Sequence, residues 1–272
     1  MKYQLGFIGC GNMGKAMLNG ALATGWTSAD QVVVHTHTPA SQEKIANTYH
    51  IDAVATNKEV AAEAKILVLA VKPNVYQGVL EDIKDVLQAG QILVIIAPAY
   101  RIAHVAKIID NEDVRIVRAM PNTPAQVGAG MAGVVFSANV SDTEKELLMT
   151  FFESFGKVAV VQEEVMHAVT AVSGSSPAYI YMVIEGMAEG AIKLGIPAKD
   201  AYTFAAQSVL GAAQMVIETG LHPAALRDAV CSAGGTTIDA VAVLEKHGIK
   251  SALIEGMVAA SEKALSMEAR AQ

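Results

Sequence analysis

Leu5-Gly-Phe-Ile-Gly-Cys-Gly-Asn-Met-Gly14 decides the fold. The stretch begins as an apolar run and breaks into Gly9-x-Gly11-x-x-Gly14. It then enters a helical pattern through Ala16, Met17, Leu18, Ala21 and Leu22. A buried strand, a glycine turn and a helix start are the context in which this motif binds a dinucleotide. Gly9 allows the tight turn, Gly11 leaves no side chain between backbone and pyrophosphate, and Gly14 lets the helix pack close to the strand. The helix start presents free N–H groups and the positive end of a dipole to the phosphates. Cys10, Asn12 and Met13 lie in the same turn and are assigned to the cofactor with the glycines.

The rhythm set by this stretch continues through the first half. Strands are expected at Gln4–Ile8, Gln31–His35, Ile66–Ala70, Ile92–Ile96, Arg115–Ala119, Gly133–Ser137 and Lys157–Val161. They are short, β-branched and nearly all apolar, as strands covered on both faces must be. Helical patterns such as Gly14–Ala23, Ser41–Tyr49 and Val75–Val86 fall between them. The alternation predicts a parallel, doubly wound Rossmann sheet. After about Glu163 strand signals vanish, and helices are expected at Val165–Val172, Pro177–Leu194, Lys199–Thr219, Pro223–Val230, Thr237–His247 and Lys250–Glu268. Gly195 and Gly220 fall where C-cap glycines belong, and Pro177, Pro197 and Pro223 near helix starts. The fold class read from this is α/β, with a Rossmann domain over residues 1–162 and an all-helical domain over 163–272.

Composition narrows the function. Apolar residues make up 52% of the 272 and charged residues only 17%, so part of the apolar surface is expected in a subunit interface. The helical half, rich in Ala, Met and Gly, is the expected dimerisation domain. A net charge of -7 with no basic stripe excludes a nucleic-acid partner. No apolar run is long enough to span a bilayer. The first strand begins at once, so no cleavable leader is expected and the protein is placed in the cytoplasm. Cys10 and Cys231 form no CxxC, which argues against a disulfide framework or a zinc cluster.

The second strand selects the dinucleotide. An NAD-binding sheet carries an acid there for the ribose 2′-hydroxyl. Here the chain reads Val34-His-Thr36-His37-Thr38, with no acid until Glu43. Hydroxyls and imidazoles can donate to a 2′-phosphate, so NADP(H) is preferred, through Thr36 and Thr38, with NAD(H) as the alternative. His35 and His37 alternate and could share a face, but no further ligands stand nearby and no metal is expected. Ala70-Val71-Lys72-Pro73 and Ala97 end two later strands, where open α/β sheets bind ligands; all five are assigned to the cofactor. Asn57 is assigned there too, with helix capping as its alternative role.

Three loops carry the remaining chemistry. Arg118-Ala-Met-Pro-Asn122-Thr123-Pro124 is a strand end stiffened by prolines. Ser173-Gly-Ser175-Ser-Pro-Ala-Tyr179 is expected to break two helices, its hydroxyls capping a helix or holding an anion, with Ser175 a substrate candidate. Cys231-Ser-Ala-Gly234-Gly235-Thr236-Thr237 leads into a helix start and makes a good carboxylate cradle.

Taken together, these segments resemble the pyrroline-5-carboxylate reductase family essentially end to end. The match covers GFIGCGNMG, AVKP at Ala70–Pro73, RAMPNTPA at Arg118–Ala125 and SGSSPAY at Ser173–Tyr179. Its most specific part runs from His222-Pro-Ala-Ala-Leu226 through Cys231–Ile238 to Leu244-Glu245. The resemblance implies NAD(P)H-dependent reduction of 1-pyrroline-5-carboxylate to proline. It implies a helical domain that interlocks two subunits, and often a ring of dimers (a homodecamer). It also implies that the substrate carboxylate binds at Gly234, Gly235 and Thr236, and that the Thr237 hydroxyl reaches the ring nitrogen. One departure stands out: Pro98 removes a backbone donor and Tyr100 is bulky where relatives carry glycine, so the nicotinamide edge of the pocket is expected to differ. A β-hydroxyacid dehydrogenase shares the layout but uses a lysine beyond the junction, and none occurs between Lys157 and Lys193. A non-catalytic NADP(H) sensor would have no need for the Gly-Gly-Thr-Thr turn.

Overall fold

The computed structural model describes residues 1–271. Eight strands form one sheet in the order β3-β2-β1-β4-β5-β6-β7-β8. They are β1 (Tyr3–Ile8), β2 (Val32–His35), β3 (Asp52–Ala53), β4 (Ala64–Leu69), β5 (Ile92–Ile95), β6 (Arg115–Met120), β7 (Gly130–Phe136) and β8 (Gly156–Val160). Helices α1 (Asn12–Ala23), α2 (Pro39–Tyr49), α3 (Asn57–Glu63), α4 (Tyr76–Ile83), α5 (Ile102–Ile109) and α6 (Asp142–Glu153) alternate with them.

Strand side chains divide by parity between two cores. Leu5, Phe7, Val34, Ile66, Val68 and Val94 face one, with Met17 and Leu18 of α1 and Phe151 and Phe152 of α6. Ile8, Val33, Leu67, Leu69, Leu93 and Ile95 face the other, with Val60 of α3, Leu80 of α4 and Val105 of α5. Burial on both faces is why the strands read as unbroken apolar runs.

Two expectations need correction. Every neighbouring strand pair is parallel except β6–β7, which is antiparallel. A parallel return needs a crossover of about a dozen residues or more. β7 starts at Gly130, earlier than expected, so only residues 121–129 join the two strands and the chain must double back. Second, the serine-rich segment does not interrupt two helices. α7 (Met166–Val169) runs through a π-helical turn at Thr170–Ser175 directly into α8 (Ser176–Lys193). Pro177 has no N–H to donate and its ring crowds the carbonyl four residues back; the wider π turn gives that ring room. No free helix start exists there to hold an anion.

The remaining helices are α9 (Ala198–Thr219), α10 (Pro223–Val230), α11 (Thr236–Lys246) and α12 (Ile249–Ala271). Their bounds lie close to the expected ones because the punctuation is local: Gly220 takes φ +64° after α9, Pro197 precedes α9, and Pro223 opens α10. Contacts divide the chain into two compact units, Met1–Ser175 joined by the chain from Ala260 onward, and Ser176–Ala259. The second unit is poorly filled. Its core cluster has three buried residues, Ala188, Ala201 and Ala205. Tyr181, Met182, Leu194, Phe204, Ile217 and Ile254 are exposed, Phe204 to 64%. A fully buried large apolar side chain contributes about 1.5–3 kcal/mol, and three alanines supply far less.

Candidate functional site

Sheet register sets the first part of the site. Ile8 pairs with His35 on one side and Leu69 on the other, Leu69 with Ile95, and Ile95 with Arg118. The C-terminal ends of β2, β1, β4, β5 and β6 therefore stand in one row, the edge where open α/β sheets bind ligands. Gly9, Ala70 and Ile96–Tyr100 follow directly. The Gly9 N–H donates to the His35 carbonyl at 2.8 Å and the Ala70 N–H to that of Ile8 at 2.9 Å.

The three glycines differ in what constrains them. Gly9 sits at φ +74°, and a Cβ there would lie 2.7 Å from Val71 Cγ1 and 2.8 Å from the Ala70 carbonyl oxygen. Gly14 would bring a Cβ to 3.1 Å from that of Ala70, so it allows α1 to pack against the strand end. Gly11 is exposed and its Cβ would meet nothing within 4 Å. No protein contact accounts for that glycine. It caps α1 without a side-chain hydrogen bond, and the first turn carries no acid. Bare N–H groups beside a missing side chain fit a pyrophosphate. Asn12 is exposed and Met13 half-buried. Cys10 is buried, and burial pushes its thiol up to about 12, so it stays protonated.

The other cofactor candidates are distributed along the same edge. Ala70 and Val71 are half-buried, Lys72 and Pro73 exposed, and Ala97 buried. Thr36 is buried and donates to the Thr38 carbonyl at 3.3 Å. Thr38 is exposed and caps α2, accepting from the Ser41 N–H at 3.3 Å. His35 Nδ1 lies 3.1 Å from the Val54 carbonyl while His37 is exposed, so the two imidazoles have different surroundings. Asn57 is not a cap: Thr56 caps α3 in a reciprocal box with Glu59, and Asn57 donates to Asp82 at 3.2 Å.

One residue at this edge, Tyr76, went unassigned in the sequence, and the partners of three others become visible in the structure. Tyr76 is buried and donates to the Leu69 carbonyl at 2.9 Å while accepting from the Ile96 N–H at 3.0 Å, tying the ends of β4 and β5 together. Burial pushes its phenol well above its ordinary range, so it remains a donor. Tyr100 is 6% exposed and packs on Tyr76, ring centres 4.7 Å apart. Asn122 is also structural: it donates to the Ser173 carbonyl at 3.0 Å and accepts from the Met131 N–H at 2.8 Å. Arg118 is buried among two carboxylates. A charge between the apolar residues of a strand was the available signal for it.

The second unit contains the Gly-Gly-Thr-Thr turn. Gly234 takes φ +67°, and Gly235 caps α11 with no side-chain hydrogen bond. A Cβ on Gly235 would lie 2.3 Å from Ser232 Oγ, so a larger residue there would require the Ser232 hydroxyl to turn away. Thr236 is exposed and Thr237 half-buried. An uncapped helix start suits a carboxylate. Ser175, the other substrate candidate, ends the π turn of the first unit and is half-buried.

A glycine turn opening an uncapped helix at the edge of a mostly parallel sheet, followed by an all-helical unit, defines the class of NAD(P)-dependent oxidoreductases with a helical second domain. Residues 4–98 match the family described as NADP oxidoreductase coenzyme F420-dependent, and residues 163–267 match pyrroline-5-carboxylate reductase dimerisation. The chain belongs to the pyrroline-5-carboxylate reductase family. It is 45% identical to pyrroline-5-carboxylate reductase of Escherichia coli strain K12 over 263 residues, 97% of both chains, and 33% identical to that of Arabidopsis thaliana over 96% of this chain and 94% of the relative. The enzyme of Coxiella burnetii superposes with a TM-score of 0.90 at 32% identity, covering 98% of this chain and 99% of its own. The Plasmodium falciparum enzyme, solved with NADP bound, gives 0.89 at 29% identity with the same coverage. No described helix is long and apolar enough to cross a membrane.

Proposed function

We propose that this chain reduces 1-pyrroline-5-carboxylate to L-proline with NAD(P)H, the last step of proline biosynthesis. The observation that carries the reading is the Gly234–Thr237 turn, an uncapped helix start in a chain otherwise like these reductases from end to end. The backbone N–H groups of Gly235 and Thr236 hold the substrate carboxylate, and the Thr237 hydroxyl orients the ring nitrogen. Ser175 completes the substrate contacts. Gly9 to Met13, Ala70 to Pro73 and Ala97 hold the dinucleotide, with Asn57, Thr36 and Thr38 toward its adenosine end. When bound, the reduced nicotinamide supplies the hydride that the imine carbon accepts. A protonated C=N is already electrophilic, so the protein's task is to hold two reactants in register and exclude water.

NADPH is the favoured cofactor, because no acid follows β2 until Glu43. Residues 163–272 form the dimerisation domain of an intertwined dimer, and such dimers build a ring in the cytoplasm. The direct test follows NADPH and NADH absorbance with added pyrroline-5-carboxylate. Turnover with NADPH, at a higher kcat/KM than with NADH, is expected; no turnover with either overturns the reading. Thr38→Asp refines it. Aspartate caps helices as well as threonine does, so α2 should persist while the new carboxylate repels a 2′-phosphate. A shift of roughly tenfold toward NADH is expected. An unchanged ratio would move the 2′-phosphate site elsewhere.

Thr237→Ala should be the most informative substitution in the second unit. Gly235, two residues earlier, is the helix cap, so Thr237 is free of that duty. Leaving a buried polar group of the substrate unpaired costs about 1–3 kcal/mol, roughly a 5- to 150-fold loss in kcat/KM. A loss mainly in kcat means that the bond strengthens in the transition state. Thr237→Ser should retain most activity. A fully active Thr237→Ala would remove this hydroxyl from the mechanism.

A further inference from the structure

The guanidinium of Arg118 is nearly sealed from solvent, 1% exposed, on β6 level with Ile95 at the end of β5. Its Nη2 donates to the Pro98 carbonyl at 2.7 Å and to Glu268 on the last turns of α12. Its Nη1 donates to Glu163 at 3.1 Å. The same Glu163 oxygen accepts the Ile102 N–H at 2.8 Å, at the first residue of α5. Pro98 lies in the turn Ala97–Tyr100, closed by a hydrogen bond from the Tyr100 N–H to the Ala97 carbonyl at 3.3 Å. Met267 and Ala271 of α12 pack on the cluster that contains Ala97, Ala99 and Tyr100.

A buried ion cluster is a poor source of stability, because apolar side chains of equal volume usually do as well or better. Its distinctive property is direction. The planar fork of arginine fixes the positions of several acceptors at once, which neither lysine nor a hydrocarbon can do. Here two of those acceptors are carboxylates 45 and 150 residues further along the chain, and the third is a carbonyl in the turn after β5. Pro98 cannot itself donate a hydrogen bond, so its carbonyl is the handle by which the turn is held.

We infer that Arg118 and Glu268 are positioning residues for the cofactor: the end of α12 acts through Arg118 to hold the Ala97–Tyr100 turn in the shape that receives the nicotinamide end of NADPH. The inference rests on the cofactor edge proposed above. Neither residue needs to touch the cofactor or the substrate.

The test compares native protein with Glu268→Ala, Glu268→Gln and Met267→Ala, a packing control on the same helix turn. It reads NADPH binding by fluorescence, KM for each substrate, melting temperature, and amide exchange at Ala99 and Tyr100 without cofactor. Glu268→Ala is expected to raise the NADPH Kd and KM by roughly tenfold. The KM for pyrroline-5-carboxylate should stay near native, and exchange at the two amides should quicken. Glu268→Gln keeps an acceptor and should recover most of the affinity, while Met267→Ala should lower the melting temperature and leave the NADPH Kd near native. Native NADPH affinity in Glu268→Ala, or equal weakening in Met267→Ala, overturns the positioning role. If Glu268→Ala does not fold, Arg118→Lys decides: one ammonium nitrogen cannot reproduce the fixed spacing of Nη1 and Nη2 that holds the acceptors apart, so the same weakening is expected, and native affinity overturns the inference. Native protein that binds no NADPH would sink the function and the positioning role together; normal native binding beside an unaffected variant would sink the second alone.

Discussion

Gly11→Ala should leave the melting temperature close to native and weaken NADPH binding by at least roughly a hundredfold. A Cβ at Gly11 meets no protein atom within 4 Å, so the fold has nothing to resist. In the cofactor site proposed above the pyrophosphate does, because the methyl would stand where its oxygens approach the first N–H groups of α1. Overpacking a tight contact costs about 1–3 kcal/mol, and a lost hydrogen bond to a charged group adds about 1.5–3 kcal/mol. Gly9→Ala should behave in the opposite way. Its φ of +74° and the Ala70 carbonyl oxygen at 2.8 Å belong to the protein itself. A left-handed backbone costs a non-glycine residue about 1–2 kcal/mol before that clash is counted. Gly9→Ala should therefore lower the melting temperature with or without NADPH. Calorimetry and NADPH titration of both variants separate a ligand glycine from a backbone glycine. Native NADPH affinity in Gly11→Ala would place the pyrophosphate elsewhere.

A larger effect is expected from Phe204→Asp. Phe204 is 64% exposed on α9, in a unit whose core cluster is three buried alanines, so a carboxylate there costs an isolated chain almost nothing. In a dimer formed through that unit it becomes an unpaired charge in an apolar contact, worth about 3–5 kcal/mol. Two-fold symmetry introduces the charge from both copies. Dimer dissociation should rise by well over roughly a hundredfold, and reductase activity should fall with it. Light scattering at micromolar concentration reads the outcome directly. A dimer of native mass and activity would show that α9 does not meet a second copy through Phe204.

The parts of this fold that could be read from the chain are those encoded by near neighbours. The β1–turn–α1 unit is written around a ten-residue motif, α9 is bounded by Pro197 and Gly220, and α10 is opened by Pro223. The strands could be found because both faces are covered and the runs are unbroken. What the sequence concealed depends on partners far away. Arg118, Glu163 and Glu268 are separated by 45 and 150 residues, and no periodicity connects them. The reversal at β7 turned on where a strand begins by three residues, Gly130 against the expected Gly133. The continuous α7–α8 helix was hidden because serines, glycine and proline ordinarily mark a break, and a π turn absorbs them. The packing of Tyr100 was hidden because its neighbour in space, Tyr76, lies 24 residues earlier at the start of α4.

The two margins of the sheet limit how copies of this protein can join. At one margin β3 is two residues long, and its Asp52 side chain accepts from Lys2 and Tyr3. At the other, β8 presents exposed Lys157 along its short length. Brief or lysine-bearing margins resist the addition of a foreign strand. Both margins thereby disfavour growth by strand addition, and helix surfaces are the better place for self-assembly, since their side-chain shapes can discriminate one partner from another where backbone hydrogen bonding would accept any chain.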